Sequence, residues 1–182
     1  MASITFPLTI FLAITLTLTL ILKISAATPE TNEKETRLHF YANERTESPN
    51  ATVIKVVSSP VDQSKHFYSF GDILVYDNPI TEGYDPTSRL LGRVQGTMTV
   101  ASLDGSAALF TENWFFTDLH PWTGSSITVV GRHTFREETA EFQVVGGTGQ
   151  FRNAEGYLLM TRSSTNDVNI KIVEVKVVVF NS

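Results

Sequence analysis

The run Ile170-Lys-Ile-Val-Glu-Val-Lys-Val-Val-Val-Phe180 constrains the fold more than any other stretch of the chain. Read as a strand, it has one wholly apolar face made of Val173, Val175, Val177 and Val179. The other face, Ile170, Ile172, Glu174, Lys176, Val178 and Phe180, is apolar at its ends and charged in the middle. A strand with one solvated face alternates apolar and polar residues throughout. Two largely apolar faces predict burial on both sides. An antiparallel barrel achieves this if its inside lines a pocket and its outside packs on sister subunits. A sandwich strand with an irregular outer face is the alternative.

The rest of the chain fits that reading. Short β-rich runs recur near Arg37–Ala42, Ala51–Val57, Ile73–Tyr76, Gly92–Ala101, Ala107–Phe116, Ser126–Arg132, Glu141–Val145, Phe151–Arg162 and Val168–Phe180. Turn-forming clusters separate them, among them Ser48-Pro49-Asn50, Asp77-Asn78-Pro79, Asp104-Gly105 and Gly146-Gly147-Thr148-Gly149. No segment past residue 28 carries a helical period, so the chain is all-β.

Residues 1–27 read as a signal peptide. Nothing is charged from Ile4 to Leu22, and Ser25-Ala26-Ala27 offers the small residues of a cleavage site. The run is also long enough for a membrane anchor, but threonines at 15, 17 and 19 dilute it. Cleavage removes one lysine and no acid from 14 basic and 19 acidic residues, moving the formal net charge from −5 to −6. An acidic surface argues against nucleic acid or anionic lipid as partner. Residues 28–36 are polar and read as a flexible lead-in to one domain, 37–182. The chain has no cysteine, so disulfides cannot protect its strand edges, whereas barrel closure can. Asn50-Ala51-Thr52 is a glycosylation acceptor, which matters only in a secreted chain.

Val144-Val-Gly-Gly-Thr-Gly-Gln-Phe151 resembles a phosphate-binding loop but lacks the requirements of one. No lysine follows Gly149 and no helix offers its first amides to a phosphate. A dinucleotide fingerprint fails for want of a βαβ unit. Between two β runs, the glycines are turn residues that take positive φ without steric cost.

The same stretch, continued as VVGGTGQFRNAEGY, resembles the signature turn of plant dirigent proteins. Phe70-Gly-Asp-Ile-Leu-Val-Tyr-Asp-Asn-Pro-Ile-Thr81 is similar to that family's FGD…DDPLT block, and Leu91-Gly-Arg-Val-Gln-Gly96 to its VGRAQG. Asn50-Ala51-Thr52 falls where members carry a glycosylation site. The resemblance spans residues 37–180. It implies an eight-stranded antiparallel barrel of the calycin and allene-oxide-cyclase kind, a homotrimer, and secretion to the plant apoplast or cell wall. It also implies a pocket for a small phenolic and no cofactor. Lignan-forming members rely on an external oxidase, a laccase or peroxidase, to make the phenoxy radicals whose coupling they orient. Pterocarpan synthases are lyases that dehydrate an isoflavanol through a quinone methide.

Several pocket positions depart from the lignan-forming pattern. A His-Asp pair after the first strand becomes Asn43-Glu44, a tyrosine becomes Met98, an aspartate becomes His133, and an arginine becomes Ala140. These changes shift weight from radical coupling toward isoflavanol dehydration. Glu44, beside Phe40 and Tyr41, is a candidate proton donor to a leaving hydroxyl, because apolar surroundings raise a carboxyl's pKa; a solvated strand-end carboxylate is the other reading. His133 is a candidate acceptor of the phenolic proton, or else a surface histidine beside Arg132 and Arg136. In Leu109-Phe-Thr-Glu-Asn-Trp-Phe-Phe116, alternation puts Glu112 between Phe110 and Trp114 on one face, where a carboxyl must be neutral or paired. Glu112 is either a second pocket acid or half of an ion pair with an arginine at a subunit contact. Arg93 and Gln95 are its candidate partners, and Trp114, Met98 and Tyr41 complete the candidate substrate-binding set. Four scattered histidines predict no metal site, and neither a Gly-x-Ser-x-Gly elbow nor a cysteine nucleophile occurs. Three functions remain: a stereodirecting binding protein, an isoflavanol dehydratase, and a wall-associated scaffold or lectin-like protein.

Overall fold

The computed structural model describes residues 34–60, 68–163 and 169–181. The expected signal peptide lies outside them, as do residues 28–33 of the expected lead-in. Residues 34–36 already belong to the first strand, three residues before the expected boundary.

Among the described residues nine strands follow one another: β1 (Lys34–Arg45), β2 (Val53–Val57), β3 (Ile73–Thr81), β4 (Leu90–Val100), β5 (Ala107–Phe116), β6 (Ser126–Thr134), β7 (Thr139–Thr148), β8 (Glu155–Ser163) and β9 (Ile170–Asn181). Every pairing is antiparallel, in the order β1-β9-β8-β7-β6-β5-β4-β3. Pairs Tyr41 with Thr81 and Ala42 with Ile80 then join β3 to β1 and close an eight-stranded barrel. The short β2 borders the first half of β3 instead, pairing Val53 with Tyr76. It fills the edge that β3 leaves open where β1 diverges.

Closure determines which residues face inward. On β9, Val175, Val177 and Val179 are fully buried in the core, as the apolar face requires. The second face is mixed: Ile172 and Val178 are also buried, while Lys176 is exposed. Asp77-Asn78-Pro79, expected as a turn, lies inside β3. Proline cannot donate to a ladder, and Pro79 stands beside a register shift between Ile80 and Thr81, where such a residue is tolerated.

The glycine-rich stretch does join two strands. β7 continues to Thr148, and a 3-10 turn at Gly149–Phe151 leads into β8. Gly149 adopts φ +60°, and Ser125 Oγ accepts the Gln150 N–H at 3.0 Å. A Cβ on Gly149 would lie 2.5 Å from that Oγ. The left-handed turn and the close approach both require glycine.

The interior is packed at one end and open at the other. Phe40, Trp114, Phe116 and Phe151 fill the packed end, with ring centroids 5.6 Å apart for Phe40–Trp114 and 5.7 Å for Phe40–Phe116. Trp122 stacks on Phe151 from the loop before β6. The open end lies where β1 finishes and β9 begins. There Asp72, buried just before β3, accepts from Lys55 Nζ at 2.8 Å, Ser59 N–H at 2.8 Å and Ser69 N–H at 2.9 Å. Burial alone raises its pKa, but these donors outweigh burial and hold the pKa below the ordinary 3.8. A depressed carboxylate pKa contributes stability above 3.8 that is lost as pH falls through the folded value. Asp72→Asn should therefore cost about 2 kcal/mol in urea unfolding at neutral pH, and the deficit should shrink in acid.

Candidate functional site

A cavity of about 140 Å³ occupies the open half of the barrel. That is room for about one aromatic ring, since a cavity of roughly 150 Å³ accepts benzene. Its wall is mostly apolar and includes Leu74, Val94, Met98, Phe110, Ala140 and Met160. These residues point inward because strand alternation carries every second side chain to the lumen.

Glu112 lies in this wall and is almost fully buried, with 4% of its surface exposed. The Tyr76 hydroxyl donates to Oε1 at 2.6 Å and Trp114 Nε1–H donates to Oε2 at 2.8 Å. Register explains the meeting: Tyr76 of β3 pairs with Gly96 of β4, which pairs with Glu112 of β5. The three positions form one row across the inner surface. Burial raises the Glu112 pKa to about 7, with the two hydrogen bonds opposing but not cancelling it. The Tyr76 hydroxyl is held above its ordinary value by burial first, then by the charge and hydrogen bond of Glu112 and the charge of Glu44.

His133 lies in the same wall toward the mouth, edge-on to Phe110 and Phe135. Its Nδ1 is buried without a hydrogen-bond partner. Burial first, then nearby Arg162, lowers its pKa from 6.5 and favours the neutral ring. Glu112 pairs with Val129 and Ala108 with His133, so the two groups stand four residues apart along neighbouring strands. At about 3.3 Å per residue that is roughly 13 Å between backbones, closed from both ends by the side chains. Such a span suits a substituted aromatic ring.

Charges gather at the mouth. Lys171 Nζ donates to Glu44 Oε1 at 2.7 Å, and Glu138 and Arg162 complete the rim. The expected aromatic shroud around Glu44 is not found. Phe40 points to the packed end, and Tyr41 faces outward against His39 and Tyr84. Glu44 thus lines the cavity with an ammonium as its direct partner.

Three proposed substrate contacts fall elsewhere. Tyr41, Arg93 and Gln95 are not in the cavity wall. Arg93 donates to Asp77 through Nε at 2.5 Å and Nη2 at 2.7 Å, and Gln95 donates to Asp77 at 3.0 Å. The reason is parity. Val94, Gly96 and Met98 take the inward positions of β4, so 93 and 95 must face outward. Of the two readings of Glu112, the structure places it as a pocket acid, its oxygens accepting from Tyr76 and Trp114 rather than from Arg93. The structure brings together Glu44, Met98, Glu112, Trp114 and His133 around one cavity. Asn50 sits apart, on an exposed turn between β1 and β2. Tyr76 was missed from sequence: alternation within Ile73-Leu-Val-Tyr76 marks it as inward, but only β3–β4–β5 register brings it to Glu112.

A closed antiparallel barrel, packed at one end and carrying a lined cavity at the other, is a container with an interior of small-molecule size. Comparison with known proteins narrows the class. Residues 35–180 match the Dirigent family model, described as dirigent-like protein. The chain belongs to the dirigent family. It is 35% identical over 127 residues to Dirigent protein 1 of Arabidopsis thaliana, covering 70% of this chain and 69% of that one. It is 32% identical over 126 residues to Pterocarpan synthase 1 of Glycyrrhiza echinata, covering 69% and 66%. The solved pterocarpan synthase dirigent protein GePTS1 superposes with a TM-score of 0.73 at 29% identity, covering 84% of this chain and 88% of that one.

The raised Glu112 pKa has a consequence for stability. Between the ordinary value of 4.5 and about 7, the folded chain holds a proton that the unfolded chain has lost. Its contribution is complete below 4.5 and disappears as pH rises through 7. A shift of this size is worth on the order of 3 kcal/mol. Between about pH 5 and about pH 8, the wild-type protein should lose about that much more unfolding free energy than Glu112→Gln, measured with urea.

Proposed function

We propose that this protein takes an electron-poor phenolic, a quinone methide or phenoxy radical, into the barrel cavity and fixes the face on which it reacts. The observation that carries the reading is the cavity itself: apolar, packed at one end, with a protonatable carboxyl in its wall and a neutral imidazole toward its mouth. Apolar walls keep water from a short-lived electrophile, and confinement restricts the direction from which a nucleophile approaches. Nothing in this task requires a bound cofactor. Coupling of phenoxy radicals needs one-electron oxidation, and an external laccase or peroxidase supplies it. The likeness to dirigent and pterocarpan synthase proteins supports a phenolic as the ligand.

A second reading, isoflavanol dehydration, is favoured by Glu112. A benzylic hydroxyl leaves as water only after protonation, and a buried carboxyl with a pKa near 7 is suited to that task. In this reading His133 takes the phenolic proton, and Met98, Trp114 and Phe110 hold the ring. Glu44, paired with Lys171, orients the polar end of the ligand at the rim. The protein acts outside the cell, in the apoplast, after loss of residues 1–27. It carries a glycan on Asn50 and works as a homotrimer.

One pair of incubations tests both readings. With an isoflavanol and no oxidase, a ring-closed pterocarpan is the result expected of the dehydratase. With laccase and coniferyl alcohol, an enantiomeric excess in the coupled dimers is expected of the radical director. Racemic dimers together with unchanged isoflavanol would overturn the proposal and leave a scaffold.

A further inference from the structure

The Tyr76–Glu112 pair has a geometry that a static hydrogen bond does not need. Glu112 has two oxygens with different partners. Oε2 accepts from Trp114 Nε1–H at 2.8 Å, and an indole N–H can only donate, so Oε2 remains an acceptor in every state. Oε1 faces the Tyr76 hydroxyl at 2.6 Å, and a hydroxyl donates or accepts as required. When Glu112 is ionised, Tyr76 must give it the phenolic hydrogen. When Glu112 is protonated, the hydrogen on Oε1 points to Tyr76 Oη, and the tyrosine hydrogen becomes available to something else. Both residues line the cavity, so that something else is the cavity's occupant.

We infer that Tyr76 and Glu112 form a reversible proton relay in which Tyr76 Oη–H, released whenever Glu112 is protonated, is the group that donates to an oxygen of the bound phenolic. The position between them is built for this contact. Gly96 stands in the row between Tyr76 and Glu112, and a Cβ there would lie 3.0 Å from Tyr76 Oη and 2.5 Å from Thr111 O. Only a glycine lets the tyrosine hydroxyl cross β4 to reach the carboxyl. Tyr76 thereby becomes a specificity-determining contact that selects a ligand bearing a hydrogen-bond-accepting oxygen at the depth of Gly96.

The inference rests on the cavity's binding a phenolic, and in the dehydratase reading it completes the proton balance. Glu112 passes its proton to Tyr76 Oη as Tyr76 passes its own to the benzylic hydroxyl. The C–O bond breaks with its electron pair on oxygen, and water leaves. The phenolic proton goes to His133, giving a quinone methide, a carboxylate and an imidazolium. On ring closure the attacking phenol returns a proton through Tyr76 to Glu112, and His133 reprotonates the quinone oxygen. The net change is loss of one water with no redox step.

Ligand binding reports the relay without turnover. Besides Tyr76 and Glu112, the charged and titratable groups around the cavity among the described residues are Glu44 on β1, Lys171 on β9, Arg162 on β8, His133 on β6, Glu138 before β7, and Tyr68 before β3, whose pKa burial raises above 10.0. Burial moves the imidazole of His133 below 6.5, so the window above about pH 7 belongs to Glu112. The probe is 4-nitrophenol, a ring-sized phenol whose bound phenolate is seen by its colour. Calorimetry in buffers of different ionisation enthalpy should show uptake of about one proton per bound phenolate above pH 7, with affinity for the phenolate falling about tenfold per pH unit.

Glu112→Gln should bind the phenolate without proton uptake and without that pH dependence. Its amide oxygen still accepts from Trp114 while its N–H donates to Tyr76, holding the tyrosine hydroxyl toward the ligand. Tyr76→Phe should bind at least about tenfold more weakly and lose the coupled proton, because a charge-assisted hydrogen bond is missing. Zero proton uptake by the wild-type protein overturns the relay, and that measurement needs no variant to fold. Coupling that survives in Tyr76→Phe also overturns it, since the ligand then meets Glu112 directly. Either result leaves the phenolic pocket standing, whereas absence of binding to the wild-type protein overturns both.

Discussion

Closure of the sheet between β3 and β1 is the constraint on which the rest depends. Only two residue pairs, Tyr41–Thr81 and Ala42–Ile80, make the join, yet they turn an open sheet with two edges into a ring with an inside. Once the ring is closed, strand alternation leaves no freedom over which side chains face the lumen. Closure also protects strand edges in a chain that has no cysteine to staple them. Past the join β1 and β3 separate, and β2 enters beside β3. The cavity opens at that end, where rings such as Phe110, Phe135 and Tyr68 line the wall, while Phe40, Phe116 and Phe151 fill the lumen at the other.

Within this frame the cost of burying Glu112 is met by the strands on either side. An unpaired carboxylate in an apolar wall is expensive. Tyr76 and Trp114 each supply one donor, so both oxygens are satisfied while the carboxyl remains easy to protonate. His133 answers from nearer the mouth, where burial keeps it neutral. Acid and base thus acquire opposite shifts from the same cause, desolvation, because burial disfavours whichever form is charged. The cavity wall thus holds an imidazole biased to its neutral form and a carboxyl that changes charge near neutrality.

Departures from the lignan-forming pattern gain a physical sense in this arrangement. Met98 and Ala140 line the cavity with apolar surface where hydroxyl and guanidinium groups were expected by resemblance. Hydrogen-bonding groups line the wall instead at the row Tyr76–Gly96–Glu112. Glu44 stays at the rim, where its direct partner is Lys171 rather than the rings of Phe40 and Tyr41. Belonging to the dirigent family accounts for the barrel, and the inward row sets which hydrogen-bonding groups its cavity presents.

Local pattern determined much of this protein. The all-β class followed from period-2 runs and turn clusters, and the apolar face of β9 followed from valines at alternate positions. The glycine-rich turn followed from what a phosphate loop lacks. Glu112 stood out because a carboxyl between aromatics demands an explanation in any fold. Sequence could not decide partners across strands, because register is a property of two segments and parity must be counted from a common reference. Arg93 and Gln95 shared a face, as expected, but it was the outer one. Tyr41 was misjudged for the same reason. Only closure of the ring, together with the β3–β4–β5 register, decided that Tyr76 would cross a glycine to reach Glu112. Inward and outward have no meaning until a sheet has an inside.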